Sequence, residues 1–187
     1  EAKKRVTRRG FGKTVAAGAA AAGALASTSA SGQAPAQAPV GPVVVGNYSM
    51  LDKIRFGGIG IGGRGSHDLR QLLGDERVEF VAIADIRESA REAVKSYVDG
   101  YYKNNNCQMH KDPEQLLARK DIDALLIATS DRWHGPMAIW AAQSGKDMYC
   151  EKPGAMSIME SYALADNVRR YGIVYQSGCQ RKNQYAF

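Results

Sequence analysis

The chain has 187 residues, of which 44% are hydrophobic and 24% are charged, as in an ordinary globular domain with additional segments. Its net charge of +6 is concentrated at the start, where six basic residues and one acidic residue lie within residues 1–13. The rest is nearly neutral, which argues against a nucleic-acid-binding groove. The three cysteines and three histidines lack metal-ligand spacing, so no metal site is expected.

Residues 1–30 are predicted to be an export signal. The stretch TRRGFGK, Thr7–Lys13, resembles a twin-arginine signal, and the Ala/Gly-rich run after it is too short and too weakly apolar for a stable membrane span. Residues 31–52 are Pro/Ala/Gly-rich and are interpreted as a linker. We therefore expect the twin-arginine translocase to export the protein to the periplasm. A basic disordered tail before a surface helix is the alternative.

Residues 53–178 alternate between strand-like and helix-like segments. Apolar runs of strand length are KIRFGGIGI, VEFVAIAD, a short piece of NNNCQMHK, DALLIATS, DMYCE and IVYQSG. Helical periodicity occurs in SHDLRQLL, RESAREAVKSYVDGYY, DPEQLLARKD, GPMAIWAAQSGK and SIMESYALADNVRRYG. Ser66 is a candidate N-cap, Pro113 suits a first helical position, and Gly172 suits a helix end. This order predicts an α/β, doubly wound parallel sheet of the Rossmann type, with ligands at the carboxyl ends of its strands.

A glycine-rich stretch, GGIGIGGRG, follows the first predicted strand. It contains two overlapping GxGxxG registers, Gly58-Gly60-Gly63 and Gly60-Gly62-Gly65. We favour the second, because the next helix is expected to begin right after Gly65. In such loops the glycines allow a tight turn, a close approach to pyrophosphate and contact between helix and strand. The amides at the helix start then bind the phosphates.

An acidic residue follows the second predicted strand. Asp85 lies twenty residues after Gly65, where a carboxylate can accept hydrogen bonds from the hydroxyls of an adenosine ribose. Its charge would repel a 2′-phosphate, so NAD is favoured, although Arg87 could soften this preference and NADP remains possible. The predicted dinucleotide site at this end comprises Gly60, Gly62, Gly63, Arg64, Gly65 and Asp85.

The segment ATSDRWHGPMAIWAAQSGKDMYCEKP closely resembles the Gfo/Idh/MocA family, and the resemblance extends over about residues 53–181. It implies a Rossmann domain followed by a C-terminal α+β substrate domain, and an NAD(P)-dependent oxidoreductase acting on a sugar, polyol or related hydroxy compound. Residues 179–187 would begin the second domain, which is largely missing, so the fragment alone should bind cofactor without turnover. A homo-oligomer is implied for the full-length protein.

The Glu-Lys-Pro motif of that family matches the end of the fifth predicted strand. By this resemblance Lys152 is the catalytic residue that contacts the substrate hydroxyl, and Glu151 helps to order the site; both are also expected to bind the cofactor. Pro153 matches a proline that a cis bond commonly precedes. A lysine ammonium can polarise a hydroxyl or stabilise a developing alkoxide while hydride leaves the carbon.

The loop after the fourth predicted strand matches the family segment that runs along the nicotinamide. The resemblance implies cofactor contacts for Ser130, Asp131, Trp133 and His134. The family often has proline where this chain has Ser130, and histidine or asparagine in place of Arg132. His134 could alternatively cap a helix that begins at Gly135.

Two other functions compete with a dehydrogenase. Some exported relatives are glycoside hydrolases that keep NAD bound, oxidise the sugar transiently and release the aglycone by elimination. Those tend to replace the motif lysine, whereas Lys152 is present here. A non-catalytic nucleotide-binding module is the third possibility, and the intact lysine and nicotinamide loop argue against it.

Overall fold

The computed structural model describes residues 53–179, which contain six strands and five helices. The strands are β1 (Ile54–Ile59), β2 (Val78–Ala84), β3 (Gln108–His110), β4 (Ala124–Ile127), β5 (Asp147–Glu151) and β6 (Tyr175–Gly178). The helices are α1 (Arg64–Leu72), α2 (Glu88–Tyr102), α3 (Pro113–Leu117), α4 (Asp131–Gln143) and α5 (Ile158–Tyr171). The predicted export signal and linker, and the predicted start of a second domain after residue 179, lie outside the described residues.

All six strands pair in parallel in one sheet of order β3-β2-β1-β4-β5-β6. The chain moves outward from β1 to β3, returns to the other side of β1, and then continues to β6. The order therefore reverses between β1 and β4, and dinucleotides bind at such a switch point, outside the carboxyl ends of the strands.

Both faces of the sheet are buried at its centre, as the near-continuous apolar strands predict. Every residue of β4 is buried. Leu125 and Ile127 face a core that includes α4 and α5, whereas Leu126 faces a second core that includes α1 and α2. This alternation confirms the doubly wound α/β fold.

The helix boundaries follow local sequence signals with two corrections. Pro113 is the first residue of α3, and Gly172 ends α5 in the left-handed conformation, as expected. Helix α1 begins at Arg64, so Ser66 lies within the helix and is not its N-cap. The N-cap position belongs to Gly63, whose φ of 54° lets the chain enter the helix directly from the turn.

Helix α4 begins at Asp131, four residues before the predicted Gly135. Ser130 is extended at the N-cap position, and the Asp131 carboxylate suits the positive end of the helix dipole. His134 therefore lies inside the helix and does not cap it. None of the helices between residues 53 and 179 is long and apolar enough to cross a membrane.

Candidate functional site

The glycine turn after β1 is too tight for side chains at two positions. Gly60 has φ 72°, and a Cβ there would lie 2.6 Å from the Cα of Thr129. A Cβ on Gly65 would collide with the carbonyl oxygen of Gly60 and would lie 3.1 Å from the Cβ of Ala128. The turn therefore needs glycine at Gly60, and close packing of α1 on the strands needs glycine at Gly65. This geometry agrees with the Gly60-Gly62-Gly65 register.

The middle of the same loop is open on one side. Gly63 is exposed, and a Cβ placed on it would meet nothing within 4 Å. The loop leads directly into α1, whose first amides have no partners within the helix. A backbone without side chains in front of a helix N-terminus fits a pyrophosphate group. The residues of this turn thus fit the phosphates of a dinucleotide.

Asp85, which directly follows β2, contacts the glycine turn through its carboxylate. It is buried, with 8% of its surface exposed, and its carboxylate accepts hydrogen bonds from Gly62 N at 3.2 Å and Arg87 N at 2.9 Å. A carboxylate offers about four acceptor positions. Asp85 can therefore hold the glycine loop and still accept a bond from a ribose hydroxyl.

Arg87 occupies the space beside Gly62 that a side chain would otherwise fill. Its guanidinium would collide with a Cβ on Gly62, and its Nε lies 3.5 Å from Asp85 Oδ1. The side chain is 62% exposed. The predicted adenosine end therefore presents a cation as well as the buried acid. The sequence spacing gave Arg87 a secondary role and did not predict this contact with the loop.

The Glu-Lys-Pro motif leaves the sheet at the end of β5. The Lys152–Pro153 bond is cis, as the resemblance implied. Glu151 is 3% exposed, and its Oε2 accepts a hydrogen bond from Lys152 N at 3.1 Å. The Lys152 side chain is exposed, and within residues 53–179 its ammonium has no hydrogen-bond or ion-pair partner. The motif thus presents an available cation on an anchored backbone.

The segment after β4 lies at the same edge of the sheet. Ser130, Asp131 and Trp133 are exposed, and the Trp133 ring packs 6.3 Å from the ring of Trp140. His134 differs from these residues, because only 2% of its surface is exposed. Its Nδ1 lies 2.9 Å from the carbonyl oxygen of Pro153, so the side chain supports the motif from behind.

A three-residue charge cluster joins the two halves of the site. Arg64 Nε lies 3.0 Å from Glu151 Oε1, although 87 residues separate them in the chain. Arg64 also forms an ion pair with Asp68, one helical turn along α1, at 2.7 Å. The sequence prediction named Arg64 and Glu151 separately and missed Asp68. The four-residue spacing of Arg64 and Asp68 was the available signal.

Within residues 53–179, the structure supports neither Cys150 as a nucleophile nor a metal-ligand group. Cys150 is completely buried in β5, and burial raises the pKa of its thiol to about 12. The thiol therefore stays protonated and is a poor nucleophile. No group of three or more His, Cys, Asp or Glu residues within the described part of the chain is placed to hold a metal ion.

Comparison with known proteins agrees with this geometry. A model of an oxidoreductase family with an NAD-binding Rossmann fold, Gfo/Idh/MocA, matches residues 54–179. A glycosyl hydrolase family 109 protein from Shewanella baltica is 33% identical over 127 residues, which cover 64% of this chain and 27% of that relative.

Solved structures match the same fold. Myo-inositol 2-dehydrogenase from Lactobacillus plantarum has a TM-score of 0.64 at 23% identity, covering 72% of this chain and 38% of that chain. The WlbA dehydrogenase from Bordetella pertussis, in complex with NADH and UDP-GlcNAcA, has a TM-score of 0.62 at 26% identity, covering 70% of this chain and 36% of that chain. The matches confirm the predicted Rossmann fold and agree with NAD as the predicted cofactor.

Proposed function

This chain belongs to the Gfo/Idh/MocA oxidoreductase family, and on that premise we propose that it is the dinucleotide-binding part of an enzyme that transfers hydride between a sugar, polyol or related hydroxy compound and NAD(P). The observation that carries the proposal is the position of Lys152. Its exposed ammonium and the open glycine turn lie at one carboxyl edge of the sheet, on either side of the switch point.

Each group at this edge has a part in the proposal. Gly63 and the first turn of α1 bind the phosphates, and Asp85, which also accepts the Gly62 N–H, binds the adenosine ribose. A nicotinamide cofactor supplies a hydride acceptor or donor when bound. In the oxidative direction the hydride would pass to the nicotinamide and the proton of the substrate hydroxyl to a base supplied by the second domain. The Lys152 ammonium would donate a hydrogen bond to the same oxygen and stabilise the alkoxide charge that develops there. Trp133, with Ser130 and Asp131, lines the part of the site that would hold the nicotinamide ring.

The experiment that tests the proposal uses the full-length protein, because this chain spans 27% of the Shewanella baltica relative. The protein is incubated with NAD or NADP and a panel of sugars and polyols, and nicotinamide absorbance is followed. A steady rise with one compound would support hydride transfer and identify the substrate class. No rise with any compound, from a protein that binds the dinucleotide, would overturn the proposal.

A glycoside hydrolase is the second candidate function. It is favoured by the 33% identity to a glycosyl hydrolase family 109 protein. Such an enzyme would recycle its bound cofactor within each turnover, whereas the presence of Lys152 favours net oxidation. In the same assay, release of an aglycone from a glycoside without net reduction of nicotinamide would favour this candidate.

Cofactor preference is predicted to depend on two opposite charges, Asp85 and Arg87. Replacing Asp85 by Ser should weaken NAD binding and narrow the gap between NAD and NADP, because the acid that binds the ribose and repels the 2′-phosphate is lost. Replacing Arg87 by Ala should weaken NADP binding by about tenfold, the effect of one charge-assisted hydrogen bond, and should change NAD binding little.

Calorimetric titration with NAD, NADP, and the fragments ADP and 2′,5′-ADP measures both effects. Arg77→Ala is the control, because Arg77 is exposed and its ion-pair partner within residues 53–179 is Asp75. An unchanged ratio of the two affinities in both Asp85→Ser and Arg87→Ala would exclude these residues from the adenosine site.

Export belongs to the same proposal. Residues 1–30 would direct the folded protein through the twin-arginine translocase to the periplasm, and the second domain would mediate a homo-oligomer. Replacing both Arg8 and Arg9 by Lys should block export of a reporter fused after residue 45, while a matched Lys3→Arg and Lys4→Arg variant should be exported normally. Equal periplasmic reporter levels in the two variants would contradict the signal assignment.

A further inference from the structure

The buried carboxylate of the Glu-Lys-Pro motif, Glu151, shares its arginine partner with a second buried carboxylate, Asp68 of α1. Asp68 is 6% exposed and Glu151 is 3% exposed. Both bind the guanidinium of Arg64: its Nε lies 3.1 Å from Asp68 Oδ2 and 3.0 Å from Glu151 Oε1, and its Nη2 lies 2.7 Å from Asp68 Oδ1. One arginine therefore serves two buried acids.

The Arg64 side chain crosses the edge of the sheet where the dinucleotide would lie. Arg64 is the first residue of α1, directly after the glycine turn, whereas Glu151 is the last residue of β5. Strand β4 lies between β1 and β5 in the sheet. The side chain is 46% exposed, so it is not fixed by burial alone. The two hydrogen bonds that Arg64 donates to Asp68 fix the direction of the guanidinium.

The contacts continue from Arg64 to the backbone of the proposed catalytic residue. Glu151 Oε1 accepts a hydrogen bond from Arg64 Nε, and Glu151 Oε2 accepts one from Lys152 N. Bidentate Arg–carboxylate pairs are among the more strongly oriented polar contacts in proteins. Asp68 therefore orients the Arg64 guanidinium, and that guanidinium orients the Glu151 carboxylate. The carboxylate in turn fixes the backbone amide of Lys152.

We propose that Asp68 is a positioning residue for Lys152, acting through Arg64 and Glu151 without touching substrate or cofactor. The proposal rests on the proposed function, since it assigns Lys152 to the reaction. It also explains why a charged residue is buried in α1 on the side that faces the sheet edge. A packing role alone would be served by an apolar residue, which would avoid the cost of burying a charge.

The ionisation of Asp68 supplies a measurable signature. The charged groups that act on it are Arg64 from its own helix and Glu151 from β5. Burial, and then the hydrogen bond with Glu151, raises the pKa of Asp68 from 3.8 to about 6. Only the ionised carboxylate can accept both Arg64 bonds. Asp68 therefore orients Arg64, and through it the Lys152 backbone, above about pH 6, and this orientation is lost as the pH falls through that value.

The stability effect has the opposite sign. Because the folded-state pKa is raised, the folded protein binds more protons than the unfolded chain between pH 3.8 and about 6. Ionisation of Asp68 therefore lowers the free energy of unfolding as the pH rises through this interval. An uncharged residue of the same shape should leave the protein at least as stable as the wild type at pH 8.

The test compares Asp68→Asn with wild type in the full-length protein. We expect kcat at pH 8 to fall by about tenfold to a hundredfold, the effect of losing an oriented charge-assisted hydrogen bond, with NAD affinity changed by less than about threefold. The acid limb near pH 6 in the wild-type kcat profile should be absent from the variant. The urea midpoint at pH 8 should not decrease.

Asp121→Asn is the matched control, because Asp121 also accepts two bonds from one arginine, Arg119, at 3.0 and 2.7 Å. It precedes β4, at the opposite edge of the sheet, and its replacement should leave kcat unchanged. A wild-type kcat in Asp68→Asn, or a lower kcat with the acid limb retained, would overturn the positioning role. A decrease in kcat accompanied by an equal loss of stability would show a purely structural role.

A second measurement does not require turnover. In Asp68→Asn, the rate at which an amine-reactive reagent modifies Lys152 should rise by about threefold or more, because its backbone anchor is weakened, with Lys120 as the internal reference. An unchanged rate would overturn the inference even if no substrate were found. Absence of turnover in the wild type would instead count against the proposed function, so the two failures are distinguishable.

Discussion

Replacing Lys152 by methionine in the full-length protein should reduce kcat by about 10²- to 10⁴-fold while changing NAD affinity by less than about threefold. Methionine keeps an unbranched side chain of similar length and removes the ammonium. Within residues 53–179 the Lys152 ammonium has no hydrogen-bond or ion-pair partner, so removing the ammonium leaves no polar group unpaired. The variant therefore loses stabilisation of the alkoxide charge and keeps its fold.

Steady-state kinetics with the substrate found in the panel, together with calorimetric titration of NAD, separates these effects. Lys120→Met is the control, since Lys120 is also exposed and precedes β4 at the opposite edge of the sheet. Weakened NAD binding with normal turnover in Lys152→Met would contradict the assignment of the catalytic residue.

Alanine at Gly60 should lower the free energy of unfolding by about 2–4 kcal/mol, because left-handed backbone geometry disfavours a side chain and the methyl group would press against the backbone of Thr129. Alanine at Gly63 should cost about 1–3 kcal/mol from backbone strain alone, since its φ of 54° and ψ of −111° are disfavoured for a residue with a side chain, although the space is open. The Gly63 methyl would project from the loop proposed to bind phosphates, so NAD affinity should fall on the order of tenfold.

Urea unfolding and NAD titration of both variants measure this difference. Gly100→Ala is the control: Gly100 lies in α2, its φ is not positive, and a Cβ there meets nothing within 4 Å. This change should raise stability by about 0.5–1 kcal/mol. If Gly63→Ala bound NAD as tightly as the wild type, the open face of the turn would not be the phosphate site.

Local patterns predicted most of the fold. The apolar runs specified the strands because a parallel sheet covered on both faces needs continuous apolar segments, as in β4. The glycine spacing specified the turn because Gly60 and Gly65 each meet backbone or neighbouring side chains too closely for a Cβ. The start of α1 differs from the prediction because polar side chains are the usual N-cap signal, whereas here Gly63 occupies that position through its own backbone freedom.

Contacts between distant segments were not predictable from those patterns. Asp68 meets Glu151 through Arg64 only after the sheet has brought β1 and β5 to opposite sides of β4. His134 matched a family position, but its burial behind Pro153 depends on how α4 packs. Single-sequence reasoning identifies residue types and spacing, and such partnerships require the strand order.

Protection of Lys152 by NAD is the experiment to perform first. The protein is treated with an amine-reactive reagent over a series of NAD concentrations, and modification of each lysine is followed by peptide mass spectrometry, with binding measured separately by calorimetry. If the dinucleotide lies along the sheet edge from Gly63 to Lys152, modification of Lys152 should decrease with the calorimetric midpoint while Lys120 stays unchanged. NAD binding that leaves Lys152 as reactive as before would place the cofactor elsewhere and contradict the proposed site.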